Sequence, residues 1–174
     1  REWTMGALHL SVAAGVRSDS LVQWLETERV VRAMPNTPAL VGQGMTGLYA
    51  RPSVAPPERL HVEGVLNPTG EVLWLDHEEQ LDAVTALSGS GPAYVFYFLE
   101  AMIEAGIAMG LPAPSAHRLA VATFVGASAL AKASDEAPAM LRQRVTSKGG
   151  TTHAALAHLE AAQVKSQFVG AIQA

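Results

Sequence analysis

Two stretches of small and hydroxyl-bearing residues have the composition to hold an anion. Ser88-Gly89-Ser90-Gly91-Pro92-Ala93-Tyr94 places two glycines, two hydroxyls and a proline directly before a strongly apolar run. Proline at a first helical position costs no hydrogen bond, Ser90 can cap, and the glycines bare backbone N–H groups beside the positive end of a helix dipole. The pattern suits a carboxylate or phosphate, and it equally describes a Gly/Ser hinge with an ordinary cap. Thr146-Ser147-Lys148-Gly149-Gly150-Thr151-Thr152 follows the same logic, with Lys148 adding positive charge. Gly149, Gly150, Thr151 and Thr152 are thus a second candidate polar-ligand loop, or a solvated loop capped by Thr151 or Thr152.

Met34-Pro35-Asn36-Thr37-Pro38 ends a strand, where open α/β sheets bind ligands beyond the carboxyl ends of their strands. Asn36 can orient a ligand through its amide, or bond its own backbone. Ala14-Gly15 follows an earlier strand in the same way and is a weaker signal. Glu78, Glu79 and Asp82 read as a solvated helix start, although Glu78 can also face a cleft before Ser88. His9, His61, His77, His117, His153 and His158 lack metal-ligand spacing, and neither a His-Glu-x-x-His helix nor a Gly-x-Ser-x-Gly elbow is present. No metal is expected, and no side chain stands out as a general acid.

The elements that must position these residues change character along the chain. Up to about Asp76, short apolar runs alternate with Pro/Gly punctuation, which predicts an α/β region over residues 1–75. Strands are expected at Ala7–Val12, the first of them buried, and at Val30–Met34, Met45–Ala50 and Glu71–Leu75. Helices are expected from Ser18 or Asp19 through Leu25 and from Glu58 to about Val65. Residues 76–174 take helical spacing throughout, with Gly110-Leu111-Pro112 ending one long helix. Ser115 is the expected cap of the next, Ser134 or Asp135 of a short one, and two more helices follow.

The 174 residues are 49% hydrophobic and only 16% charged, which favours a folded chain over a disordered one. A net charge of -4 gives no basic field for nucleic acid. The absence of cysteine suits the cytoplasm. The long uncharged run from Ala33 to Ala50 is broken by Pro35, Pro38, Gly42, Gly44 and Gly47, so it does not read as a membrane span. Arg1-Glu2-Trp3-Thr4-Met5 reads as a chain cut mid-domain rather than a signal peptide. Between Ala93 and Ala131 the only formally charged residues are Glu100, Glu104 and Arg118. Two successive helices with almost no polar face need cover all round, and a domain of about 100 residues is too small to supply it. A second copy of the chain is the expected partner, with the missing N-terminal part as the alternative cover for one face.

The blocks Ala13-Ala14-Gly15-Val16, Arg32 to Pro38, Leu81 to Tyr94, and Val145-Thr146-Ser147 with Gly149 to Thr152 appear in an order that resembles the pyrroline-5-carboxylate reductase family. The resemblance implies the remnant of a Rossmann domain followed by an all-α dimerisation domain, intertwined with a second subunit and often built into rings of dimers. It implies NADPH or NADH as cofactor and hydride transfer to a cyclic imine, giving L-proline. Ser88, Ser90 and Gly91 would then bind the substrate carboxylate, with Gly149, Gly150, Thr151 and Thr152 nearby at the subunit interface; Glu78 joins this substrate site on the cleft reading given above rather than on the resemblance. Ala14, Gly15, Met34, Pro35, Asn36 and Thr37 would wall the nicotinamide.

Two departures stand against the pattern: Lys148 occupies a position where the family commonly has Pro, and no Gly-x-Gly-x-x-Gly fingerprint stands between a first strand and a helix, the one such string, Gly42 to Gly47, running into the strand expected at Met45–Ala50. The sequence therefore starts at about the last nucleotide-binding strand, and a catalytically inactive dimerisation module is the competing reading. A different Rossmann-plus-helical reductase is a third, less consistent with both Ser/Gly loops.

Overall fold

A computed structural model describes residues 6–174. The segment Arg1–Met5, read above as a cut domain, lies outside the described residues. The chain folds as two compact units, the first ending at Tyr94 and the second running from Val95 to Ala174.

The first unit is built on a four-stranded sheet in the order β1 (His9–Ser11), β2 (Val30–Met34), β3 (Gly44–Ala50), β4 (Gly70–Trp74). Strands β1 and β2 are parallel, as are β3 and β4, while β2 and β3 are antiparallel. The reversal follows from chain length. Residues 35–43, carrying a 3₁₀ turn at Thr37–Val41, are too few for a parallel crossover, which takes about a dozen. Helix α1 (Ser18–Leu25) links the first parallel pair and α2 (Pro56–Leu66) the second.

Side chains alternate across the sheet, so each face has its own contents. Val31, Ala33, Leu48 and Ala50 form one core with Val54 and with Val62 of α2. The opposite face carries Arg32 and Met34 of β2 and Gly47 of β3, where α3 (Gln80–Val84) packs. A Cβ on Gly47 would stand 2.8 Å from Val84 Cγ1, so the residue that weakens the strand locally is what admits α3. Strand β1, expected to be buried, is a half-buried edge strand paired with β2.

After α3 the chain does not break into a loop. It passes through a π turn, Thr85–Gly89, into α4 (Gly91–Ala108). Helices α5 (Ala113–Lys132), α6 (Pro138–Arg144), α7 (Thr151–Ala161) and α8 (Val164–Gln173) complete the chain. Three expected caps differ. Helix α5 starts after Pro112 rather than at Ser115, with Pro114 within its first turn, and α6 starts after Ala137. Ser134 instead accepts the Glu136 N–H in the preceding turn at 3.1 Å. Helix α7 is preceded by Gly150, so neither Thr151 nor Thr152 is its cap.

Beyond Val95 the buried residues among those described are Gly106, Ala116 and Ala120. Gly106 lets α4 and α5 approach closely, since a Cβ there would be 3.0 Å from Ala116 Cβ. Phe98 meets Phe168 edge-to-face at 5.4 Å, tying α4 to α8. Phe96, Tyr97 and Val125 are 58%, 69% and 65% exposed. No helix among the described residues is long and apolar enough to cross a membrane.

Candidate ligand site at the sheet edge

Because β1 and β2 are parallel neighbours, the segments that follow them leave from the same edge of the sheet. Ala14 and Gly15 form an exposed turn there, with Gly15 at φ 74° and no atom within 4 Å of where its Cβ would stand. Met34, Pro35, Asn36 and Thr37 leave the same edge from β2, and only Thr37 of the four is exposed.

Asn36 sits where an N-cap would, with extended backbone, yet makes no side-chain cap. Its Oδ1 accepts the Met45 N–H at 2.9 Å, and its Nδ2 donates to Ser88 Oγ at 3.1 Å and to the Ser88 carbonyl at 3.3 Å. The amide therefore bonds neither its own backbone nor open space. It pins the π turn to the start of β3. The contact has a covalent cause: the α-helical donor to the Ser88 carbonyl would be the N–H of residue 92, and Pro92 has none. Asn36 supplies that donor from another element. Tyr94 does the same for a second carbonyl, its hydroxyl donating to Ala86 O at 3.1 Å.

Ser88, half-buried, thus sits on the turn at the sheet edge. Gly89 lies flat against the sheet, with the Met34 Cε methyl 2.8 Å from where a Cβ would be. Ser90 departs from the expected geometry. It adopts right-handed helical angles and donates its N–H to Thr85 O at 2.9 Å, closing the π turn as its C-terminal cap. Its hydroxyl and Gly91 remain beside Ser88 on the same turn. π turns inserted in helices recur at functional sites.

Glu78 is placed elsewhere. It is buried, accepting the Ser18 N–H and the Ser18 hydroxyl at 2.6 Å each and Arg32 at 2.7 Å. Burial alone would raise its carboxyl, but the two Ser18 hydrogen bonds and the Arg32 guanidinium outweigh it and hold the group below its ordinary value. With both oxygens engaged by protein, Glu78 joins α1, β2 and α3 rather than facing a cleft before Ser88. Ser18 and Arg32 were invisible as its partners in the sequence, being 60 and 46 residues away.

In the second unit, Gly149 turns the chain at φ 76° and the Gly150 N–H bonds Ser147 O at 3.1 Å. A Cβ at Gly150 would stand 2.5 Å from Ser147 Oγ, so a larger residue there would make that hydroxyl rotate away. Thr151 and Thr152 form the first turn of α7, whose leading N–H groups have no intrahelical acceptor and receive no side-chain cap.

Residues 78–174 match the family model described as pyrroline-5-carboxylate reductase dimerisation. The chain belongs to the pyrroline-5-carboxylate reductase family. It is 49% identical over 155 residues to a pyrroline-5-carboxylate reductase of Pseudomonas aeruginosa, covering 88% of this chain and 57% of that relative. It is 40% identical to the Synechocystis enzyme of the same name, covering 96% and 62%. Among solved structures, a pyrroline-5-carboxylate reductase from Coxiella burnetii superposes with a TM-score of 0.90 at 39% identity, over 94% of this chain and 61% of the other. The Plasmodium falciparum pyrroline carboxylate reductase, solved with NADP bound, also gives 0.90, at 30% identity over 99% and 69%. The chain thus spans about three fifths of the length of the curated reductases it matches. Its α/β start and helical remainder are those of the family.

Proposed function

We propose that this chain carries the substrate-binding and self-associating part of a pyrroline-5-carboxylate reductase that works in the cytoplasm. When bound, NADPH or NADH supplies hydride to the electrophilic imine carbon, and the imine nitrogen carries the proton that completes L-proline. The chain's own residues bind, orient and exclude water. Ser88, Ser90 and Gly91 receive the substrate carboxylate, with Gly149, Gly150, Thr151 and Thr152 as a second anchoring loop. Ala14, Gly15, Met34, Pro35, Asn36 and Thr37 wall the nicotinamide. The open, side-chain-free turn at Gly15 and the apolar Met34 suit a flat ring.

One observation carries this reading: Asn36 hydrogen-bonds Ser88, so the proposed nicotinamide wall and the proposed carboxylate turn are one hydrogen-bonded assembly at one sheet edge. The Ser88→Ala substitution should raise the Michaelis constant for the imine more than it lowers turnover. The primary test is oxidation of NADPH and NADH with and without pyrroline-5-carboxylate. Substrate-dependent oxidation supports the reductase, and its absence from a well-folded, self-associated chain removes it.

A second reading has its own support. Residues 78–174, more than half of the chain, match the dimerisation family model, so a dimerisation module without catalysis also fits. That module would bind L-proline or a second copy of itself without oxidising either cofactor.

Self-association is part of both readings. A helical unit whose buried residues are one glycine and two alanines leaves Phe96, Tyr97 and Val125 among the side chains in water, and each is worth about 1.5–3 kcal/mol when fully covered. A second copy is the proposed cover, the ligand a small molecule. A net charge of -4 speaks against nucleic acid as a partner.

A further inference from the structure

We infer that Asn36 is a positioning residue that fixes Ser88 as a hydrogen-bond donor toward an anionic ligand. The inference rests on the reading of Ser88 as a carboxylate contact and adds what makes it one.

A serine hydroxyl can accept or donate, and an anion takes only donors. Which way Ser88 turns is decided by a chain of obligatory polarities. The Met45 N–H can only donate, so the Asn36 atom that meets it at 2.9 Å is Oδ1. The other end of the amide is therefore Nδ2, which can only donate, and it meets Ser88 Oγ at 3.1 Å. Ser88 Oγ accepts, and its own proton is left to point away from Asn36. The Ser88 carbonyl, an obligatory acceptor deprived of its helical donor by Pro92, also takes Nδ2 at 3.3 Å and fixes the backbone from which that hydroxyl projects. Ser88 is half-buried, so the orientation is set where water competes less than at an open surface. A backbone amide of β3 thus dictates, through one side chain, the direction of a proton on the π turn.

The test is a double-substitution cycle read by calorimetric titration with L-proline, which presents the carboxylate and needs no cofactor. Ser88→Ala should weaken binding at least about tenfold, as loss of a hydrogen bond to a charged group does. Asn36→Ala and Asn36→Asp should weaken it similarly when Ser88 is present. In the Ser88→Ala background, Asn36→Ala should add little, because no proton remains to be directed. Asn36→Asp adds a negative charge that repels an anion in either background, so that contribution cancels in the comparison. A merely structural Asn36 would lower the melting temperature and weaken L-proline equally in both backgrounds, and that result overturns the inference while leaving the reductase reading intact. Failure of the unsubstituted protein to bind L-proline, together with absence of imine reduction, would overturn both.

Discussion

Glu78 shows how far a residue's role is set by what the fold brings to it. Read in the chain, it belongs to an acidic helix start; in the fold, its carboxylate meets the N–H and hydroxyl of Ser18 at the start of α1 and the guanidinium of Arg32 on β2. Removing one partner of a buried pair leaves the other charge uncompensated, so Glu78→Ala should cost about 3–5 kcal/mol in urea denaturation. The sign of the pH effect follows from its lowered carboxyl. Stability from Glu78 is fully present above its unfolded value and is lost as pH falls through the folded one, where the carboxylate takes a proton and releases Arg32. Glu78→Gln should flatten that acid limb, and a limb of unchanged steepness would assign it to other carboxylates. The same blindness to tertiary partners hid Asn36 and Ser88, whose residue types were legible and whose mutual bond was not.

Among the elements, the strands and most helix ends were legible because they follow from local chemistry. Pro35 stops β2, Pro56 opens α2 and Gly110 ends α4 at φ 97°. The Ser88–Pro92 segment was not, because Gly, Ser and Pro signal a loop when their backbone groups have no other partner. Here Asn36 and Tyr94 donate to the carbonyls that the π turn and Pro92 leave open, so helix continues where the sequence indicates a break. Gly47 is likewise a poor strand residue whose value appears only with α3 in place. Gly47→Ala should destabilise by about 1–3 kcal/mol through its contact with Val84, and Val84→Ala should relieve most of that in the double variant. Gly89→Ala should cost less, because the Met34 methyl it meets is the tip of a flexible side chain. Thermal denaturation of the variants ranks the two.

For the whole molecule, the apolar composition of residues 93–131 already indicated a need for cover, and Phe96, Tyr97 and Val125 are among the side chains the structure leaves exposed. Sedimentation equilibrium should give at least two copies per particle. Val125→Glu, placing a charge on a 65% exposed valine, should raise the dissociation constant at least about tenfold if the partner covers that face of α5. An unchanged constant would move the interface off that face. Dividing labour between a sheet edge and a helical unit has a further effect, in time rather than in space. A sheet with its own core of Val31, Ala33, Leu48, Ala50 and Val62 can form in a first-order step. A helical unit whose interior is Gly106, Ala116 and Ala120 waits for an encounter. Refolding should therefore show one phase indifferent to protein concentration and a later one that quickens with it, and dilution alone should separate the two.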